Sequence, residues 1–193
     1  MKILRIISAL LASLAFLTAC DHDEPRSLYF IGDSIVARWD LDSYFSGYAV
    51  YNDGKSGARY YYLYDYAGAM KDRTVVVMIG TNDMGSPMDD VRLRAMAADY
   101  VAAVTALDAR RVYLYSVLPR DFSSDFAGKN DMIRRFNAIV QESVASVPEI
   151  VYIDVFDDFL RANGSIDRDL YTDRLHLSPS GYEILSKALL DKL

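Results

Sequence analysis

The stretch "TVVVMIG" (residues 74–80) contains five consecutive apolar residues, Val75 to Ile79, with no polar residue between them. A strand with one solvated face alternates apolar and polar side chains, whereas a strand covered on both faces has a continuous apolar run. This stretch therefore predicts a central strand of a parallel sheet that has helices on both sides.

Four further short runs, rich in β-branched and aromatic residues, lie between longer segments with helical periodicity. The predicted strands are Ser27–Ile31, Tyr48–Tyr51, Thr74–Ile79, Arg111–Ser116 and Ile150–Val155. The predicted helices cover 88–107, with Ser86 as N-cap and Pro87 in the first turn, 129–147, and the segment after Ser178-Pro179. This alternation predicts an α/β fold with a five-stranded parallel sheet between helix layers.

The N-terminal segment has the layout of a secretory signal rather than of a folded element. Residues 1–19 start with two basic residues and continue with an apolar run too short to span a membrane. The end of this segment, Leu17 to Cys20, resembles the lipobox of bacterial lipoproteins. The resemblance implies cleavage before Cys20, lipidation of Cys20 and a membrane anchor, on the periplasmic or the cell-surface side. The alternative is an ordinary signal peptide with an incidental cysteine.

The remaining chain is predicted to be a short tether, residues 20–26, followed by one domain, residues 27–193. The chain has one cysteine, so an intramolecular disulfide is excluded. A net charge of −6 without a basic stripe disfavours nucleic acid as a partner. No His/Cys/Glu cluster has metal-ligand spacing and no phosphate-binding loop is present, so neither a metal nor a cofactor is predicted.

Polar, glycine-containing turns follow the first three predicted strands. They are Gly32-Asp33-Ser34, the segment 52–57 and Gly80-Thr81-Asn82-Asp83. Ligands of open parallel sheets bind beyond the carboxyl ends of the strands, so these turns are predicted to converge on one site. Within that site Ser34 either caps a helix or takes part in chemistry.

The histidines help to decide between these alternatives. His22 lies in the predicted tether, which leaves His176 for the domain, in "YTDRLHLSPSGY" (residues 171–182) with Asp173 three residues earlier. A serine nucleophile needs a base, and that base needs a carboxylate to orient it. The alternative for Asp173 and His176 is a surface turn before a helix.

Together these four blocks, Gly32-Asp33-Ser34, Gly54, Gly80 to Asp83 and Asp173 to His176, resemble the GDSL esterases, also called SGNH hydrolases. The resemblance implies a three-layer α/β/α sandwich of flavodoxin-like topology. It also implies that Ser34 is the nucleophile, that His176 is the general base and then acid, and that Asp173 orients His176. The implied oxyanion hole consists of the N–H groups of Ser34 and Gly54 and the side-chain amide of Asn82. Asp33 and Asp83 are interpreted as turn and positioning residues.

The function expected from this resemblance is that of a lipid-anchored serine esterase. Short acyl groups, in particular O-acetyl groups on carbohydrates, are favoured because the chain has no obvious apolar lid or extra domain. The alternatives are a lysophospholipase or thioesterase for longer acyl chains, an O-acetyl transferase, and a glycan-binding lipoprotein without catalysis. A flavin- or nucleotide-binding domain is disfavoured because Asp33 would repel phosphate.

Three other features bear on the surroundings of the site, and two of them have alternative interpretations. Trp39 either lines the site or packs in the core. The tyrosine-rich stretch "ARYYYLYDYAG" (residues 58–68) forms either a sugar-stacking wall or a helix packed on the sheet. The polar stretch 118–131 is predicted to be a loop over the cleft.

Overall fold

The computed structural model describes residues 26–121 and 126–193. The predicted signal peptide, the predicted lipidation site at Cys20 and all of the predicted tether except Arg26 lie outside the described residues. Part of the predicted loop 118–131 lies outside them as well. Arg26 is the first residue of the sheet, one position before the predicted domain start.

The five strands form one parallel sheet. They are β1 (Arg26–Gly32), β2 (Tyr48–Gly54), β3 (Thr74–Met78), β4 (Arg111–Tyr115) and β5 (Ile150–Ile153). Their order in the sheet is β2-β1-β3-β4-β5, and every neighbouring pair is parallel. The predicted α/β class, the five-stranded parallel sheet and the flavodoxin-like strand order are confirmed.

Helices connect the strands. The α-helices are α1 (Ser34–Ala37), α2 (Leu41–Tyr44), α3 (Asp90–Thr105), α4 (Lys129–Val144) and α5 (Pro179–Leu190). Four 3₁₀ segments are Tyr60–Tyr66, Thr81–Asp83, Asp157–Phe159 and Arg168–Leu170. Among the described residues, no helix is both long and apolar enough to cross a membrane.

Alternating side chains of the central strands build two separate cores. Ile31 of β1 and Val77 of β3 belong to the core under α3 and α4. Phe30 and Val76 point to the other face and belong to the core with α1, α2 and α5. All four side chains are fully buried, which explains the continuous apolar runs and gives the three-layer architecture.

Two helix starts test the capping predictions. Ser178 caps α5, accepting a hydrogen bond from the Gly181 N–H, and Pro179 occupies the first turn as predicted. The prediction that Ser86 caps α3 was wrong. Asp89 is the cap, because its carboxylate accepts the Arg92 N–H at 2.9 Å, and Pro87 therefore precedes the helix.

Trp39 is a core residue in the structure. It is 3% exposed, and its indole N–H donates to Ser186 Oγ at 3.1 Å. Its ring contacts four other aromatic rings, those of Phe30, Phe45, Tyr115 and Tyr182. These contacts anchor α1 and α2 to α5 rather than lining a site.

The strand order creates a crevice between the carboxyl ends of β1 and β3. The chain leaves β1 for β2 on one side, while β3 lies on the other side, and ligands bind where the connection reverses direction. The Asp33 N–H donates to the Met78 carbonyl oxygen at 3.3 Å, which joins the two strand ends. The turns after β1 and β3 therefore face each other across this crevice.

Candidate active site

The structure brings Ser34, His176 and Asp173 into one hydrogen-bonded chain. His176 Nε2 lies 3.0 Å from Ser34 Oγ, although the two residues are 142 positions apart. His176 Nδ1 lies 2.7 Å from Asp173 Oδ2. With Nδ1 donating to the carboxylate, Nε2 is left as an acceptor for the Ser34 O–H. This is the connectivity of a serine nucleophile, its base and an orienting carboxylate.

A short loop before α5 holds the histidine rigidly. Asp173 Oδ1 accepts the N–H groups of Leu175 and His176, both at 2.7 Å. An antiparallel bridge between Tyr171 and Leu177 closes the loop, and the Thr172 N–H donates to the His176 carbonyl at 2.8 Å. The backbone around His176 is therefore fixed before any substrate arrives.

The hydrogen bonds to Asp173 also set its charge. Partial burial raises the pKa of its carboxyl group, but the hydrogen bonds from the His176 N–H, the His176 ring and the Leu175 N–H outweigh burial and lower the pKa to about 2. Asp173 is therefore ionised at neutral pH. It can hold the imidazole in one tautomer and stabilise a positive charge on it.

Ser34 occupies the first position of α1, and Asp33, not Ser34, is the cap. Asp33 Oδ1 accepts the Ile35 N–H at 2.9 Å. The Ser34 N–H has no acceptor among the described residues, as expected for a donor in the first turn of a helix. Tyr182 of α5 donates its O–H to the Ile35 carbonyl at 2.8 Å, so α1 is tied to the helix that follows His176.

Asn82 lies in the turn after β3, opposite Ser34. Gly80 precedes it with a φ of 119°, a left-handed conformation that suits glycine. One N–H of the Asn82 amide is donated to the Ala58 carbonyl at 2.8 Å. The amide carries a second N–H, for which the described part of the chain offers no acceptor. That N–H is available to a bound group.

Gly54 does not have the role that was predicted for it. Its N–H is donated to Asn52 Oδ1 at 3.0 Å, so it is not available to an oxyanion in this structure. A Cβ at Gly54 would lie 2.1 Å from the Ala37 nitrogen, so the glycine is needed where β2 packs against α1.

The same turn contains free donors a few residues further along, which the sequence reasoning missed. The N–H groups of Ser56 and Gly57 have no acceptor within the described ranges, and Gly57 has a φ of 77°. Ala58 follows directly and accepts the Asn82 amide, so this part of the turn lies beside Asn82. The signal available in the sequence was the second glycine of the 52–57 turn.

Two carboxyl groups flank the site, that of Asp33 buried and that of Asp83 partly buried, and their burial was also missed. Asp33 is 1% exposed, and burial raises its pKa to about 7. Burial likewise raises the pKa of Asp83 to about 6. Asp83 Oδ2 accepts the Tyr60 N–H at 3.1 Å, which fits the interpretation of Asp83 as a positioning residue.

Arg120 is a further neighbour of the site that the sequence did not point to. Its Nη1 donates to the Thr81 carbonyl at 2.8 Å, next to Asn82. The side chain of Asn130 brackets the Arg120 backbone, accepting its N–H and donating to its carbonyl, both at 3.0 Å. The positive charge of Arg120 opposes the rise in the Asp33 pKa without cancelling it.

The described ranges contain no group of three or more His, Cys, Asp or Glu side chains placed to hold a metal ion.

The profile of the GDSL-like lipase/acylhydrolase family matches residues 30–184, which include Ser34, Asn82 and His176. The chain belongs to this family. The GDSL-like family is one of carboxylic ester hydrolases, and a serine, a histidine and an aspartate in hydrogen-bond contact are the groups that such hydrolysis requires.

Relatives with established names match part of this GDSL-like chain. The platelet-activating factor acetylhydrolase IB subunit alpha1 of Bos taurus is 30% identical over 125 residues, which cover 62% of this chain and 50% of the relative. The human protein of the same name is 29% identical, with 62% and 51% covered. The chain spans about half the length of these relatives.

Solved structures match nearly the whole described chain. A Streptococcus pneumoniae protein described as a platelet activating factor has a TM-score of 0.69 at 27% identity, covering 90% of this chain and 86% of its own. An acetyl xylan esterase from Geobacillus stearothermophilus has a TM-score of 0.64 at 20% identity, covering 86% and 94%. At that identity, the second likeness shows the fold alone.

The buried Asp33 carboxyl predicts a pH-dependent stability. Its folded pKa lies above the unfolded value, so its contribution is fully present below about pH 4 and is lost as the pH rises through about pH 7. An asparagine keeps the cap to Ile35 but cannot ionise. We expect the free energy of unfolding of Asp33→Asn, relative to the wild type, to increase from about pH 4 to about pH 8, by on the order of a few kcal/mol.

Urea unfolding at several pH values measures this difference. Asp42→Asn, at an exposed carboxyl group, is the matched control. A difference for Asp33→Asn that stays constant over this pH range would contradict the account of Asp33 as a buried carboxyl that costs stability when ionised.

Proposed function

We propose that this protein is an exported, lipid-anchored serine esterase that removes short acyl groups, in particular O-acetyl groups from carbohydrates. The observation that carries this proposal is the contact of 3.0 Å between His176 Nε2 and Ser34 Oγ, with Asp173 at 2.7 Å from the other ring nitrogen. The three side chains have the roles of nucleophile, general base and orienting carboxylate in this proposal.

In the acylation half-reaction, Ser34 Oγ attacks the ester carbonyl carbon while its proton passes to His176 Nε2. The oxyanion that forms accepts hydrogen bonds from the Ser34 N–H, the free Asn82 N–H and a free N–H of the 56–57 turn, which replaces Gly54 in this role. The imidazolium, stabilised by Asp173, then protonates the leaving alcohol. The C–O bond to the alcohol breaks, and an acyl group remains on Ser34.

In the deacylation half-reaction, a water molecule takes the place of the alcohol. His176 removes a proton from the water, whose oxygen attacks the acyl carbon. Ser34 Oγ leaves and regains a proton from His176. The carboxylic acid departs and the enzyme returns to its starting state. Apart from water, the residues of the chain supply every group that this step uses.

Polar surroundings support a short acyl group. A cavity of about 250 Å³ borders Asp173. Most of its lining is charged or polar, and Ile166 and Tyr171 complete it. Asp121 and Arg168 form an ion pair across its wall. A long alkyl chain gains free energy from apolar surface, of which Ile166 and Tyr171 offer only a small area here.

The comparisons support acetyl esters as the substrate class. One matched relative, the bovine acetylhydrolase subunit, is named for acetyl-ester hydrolysis. A lysophospholipase or thioesterase, an O-acetyl transferase and a glycan-binding protein without catalysis remain the competing functions.

Chain-length dependence tests the substrate class. The purified domain should hydrolyse p-nitrophenyl acetate with a higher kcat/KM than p-nitrophenyl decanoate, and it should release acetate from acetylated glycans. Ser34→Ala is the control and should abolish both activities. A clear preference for decanoate would favour the lysophospholipase or thioesterase. If the wild type hydrolysed no ester, the result would favour a glycan-binding protein without catalysis.

Asn82 provides a test of the oxyanion hole. We expect Asn82→Ala to lower kcat by about 10²–10³ with a smaller change in KM, because the second N–H of the amide, the one not bonded to Ala58, donates to a charge that forms in the transition state. Steady-state kinetics on p-nitrophenyl acetate measure the loss, and Asn163→Ala, at an exposed loop position, is the control. An Asn82→Ala variant with wild-type kcat would remove Asn82 from the oxyanion hole.

The anchor has its own test. The lipobox-like end of the predicted signal, Leu17 to Cys20, supports lipidation at Cys20. We expect the wild-type protein to fractionate with the membranes of an expressing bacterium and Cys20→Ser to lose this association, since no other anchor is proposed. A Cys20→Ser protein that stays in the membrane fraction would contradict the lipid anchor.

A further inference from the structure

The tyrosine-rich segment is a 3₁₀ helix, Tyr60–Tyr66, and its geometry sorts the side chains into rows. In a 3₁₀ helix, residues three positions apart point in the same direction. One row, Tyr60, Leu63 and Tyr66, packs against the core under α3. A second row, Tyr61 and Tyr64, points outward with 58% and 47% of each residue exposed. The sequence interpretation of a helix packed on the sheet applies to the first row and to Tyr62, which also packs against this core, but not to Tyr61 and Tyr64.

Two hydrogen bonds attach the start of this helix to the rim of the site. The Tyr60 N–H donates to Asp83 Oδ2 at 3.1 Å, and the Ala58 carbonyl accepts the Asn82 amide at 2.8 Å. The rings of Tyr60 and Tyr61 meet edge to face, with their centres 6.0 Å apart. The helix that carries Tyr61 and Tyr64 therefore begins beside the turn that holds Asn82 and Asp83.

Among the described residues, five large hydrophobic side chains are exposed, and Tyr61 and Tyr64 are the two of these that lie three positions apart on one helix. Along a 3₁₀ helix, three residues rise by about 6 Å, so the two rings are spaced by roughly the length of one sugar ring. The faces of tyrosine rings offer apolar surface to the C–H face of a pyranose, and their hydroxyl groups can bond to its hydroxyls. Exposed Arg59 and Asp65 lie on either side and suit a hydroxylated ligand better than an alkyl chain.

We propose that Tyr61 and Tyr64 form a carbohydrate subsite that binds the sugar chain whose ester lies at Ser34. This inference rests on the proposed esterase function and narrows it. The preferred substrate is an acylated oligosaccharide or polysaccharide rather than an acylated monosaccharide, because the row extends beyond the sugar ring that carries the ester.

A kinetic comparison tests the subsite. The variant Tyr61→Ala/Tyr64→Ala is assayed on acetylated xylo-oligosaccharides and on p-nitrophenyl acetate, which has no sugar. The ratio of kcat/KM for the oligosaccharide to that for p-nitrophenyl acetate should fall about tenfold, mainly through KM, because two ring contacts are lost. The matched control is Tyr51→Ala. Tyr51 is 47% exposed, as Tyr64 is, but its ring stacks on Tyr29 in the sheet. The control should leave the ratio unchanged.

A binding measurement makes the test independent of catalysis. Ser34→Ala protein is titrated with unacetylated xylohexaose, cellohexaose and chitohexaose in a calorimeter, with and without Tyr61→Ala/Tyr64→Ala. At least one of these oligosaccharides should bind, and the double substitution should weaken its affinity about tenfold.

The outcomes separate the subsite from the esterase. If the wild type hydrolyses p-nitrophenyl acetate but Ser34→Ala binds none of the oligosaccharides, the subsite is overturned and the esterase stands. An unchanged kinetic ratio together with unchanged binding also overturns the subsite. If the wild type hydrolyses no ester while tyrosine-dependent binding persists, the proposed esterase falls and the subsite stands.

Discussion

The site depends on Gly32 having no side chain. A Cβ at this position would lie 2.1 Å from the Met78 carbonyl oxygen and 2.4 Å from Val36 Cγ2. Only glycine lets the end of β1 press against the end of β3 while α1 turns back over both. This close approach puts Asp33 under the site and Ser34 at the start of α1. It places the serine at the crevice where the sheet reverses its direction of connection.

His176, the hydrogen-bond partner of Ser34, lies 142 positions later in the chain, and its loop holds it in a fixed position. Asp173 makes three hydrogen bonds within its own loop, and these same bonds keep its carboxyl group ionised. On the other side of the site, Asp33 is buried and Asp83 is partly buried, and both have raised pKa values. Within one site, the pKa of Asp173 is therefore lowered while those of Asp33 and Asp83 are raised. A carboxylate beside His176 stabilises positive charge, while burial disfavours the ionisation of Asp33 and Asp83 near the oxyanion donors.

Much of this arrangement could be predicted from the sequence, because the relevant signals are local. Apolar runs indicate buried strands, and a polar turn after each run indicates the ligand-binding edge. The pair Asp173 and His176 became informative together with the other three blocks, through their shared resemblance to the GDSL esterases. The predictions for Gly54 and Ser86 failed because they depend on which hydrogen bonds are already made. Asn52 takes up the Gly54 N–H, and Asp89 rather than Ser86 reaches a free N–H of α3. The burial of Asp33 and the exposure of Tyr61 depend on neighbours that come from other elements.

The central claim is that Ser34 is a nucleophile activated by His176. Labelling with a fluorophosphonate probe, followed by mass spectrometry of the peptides, measures this directly, since the probe reacts with activated serines. The account predicts one adduct, on Ser34, that disappears in His176→Ala. An active wild-type enzyme with its adduct on another serine, or labelling of Ser34 that is unaffected by His176→Ala, would contradict the account.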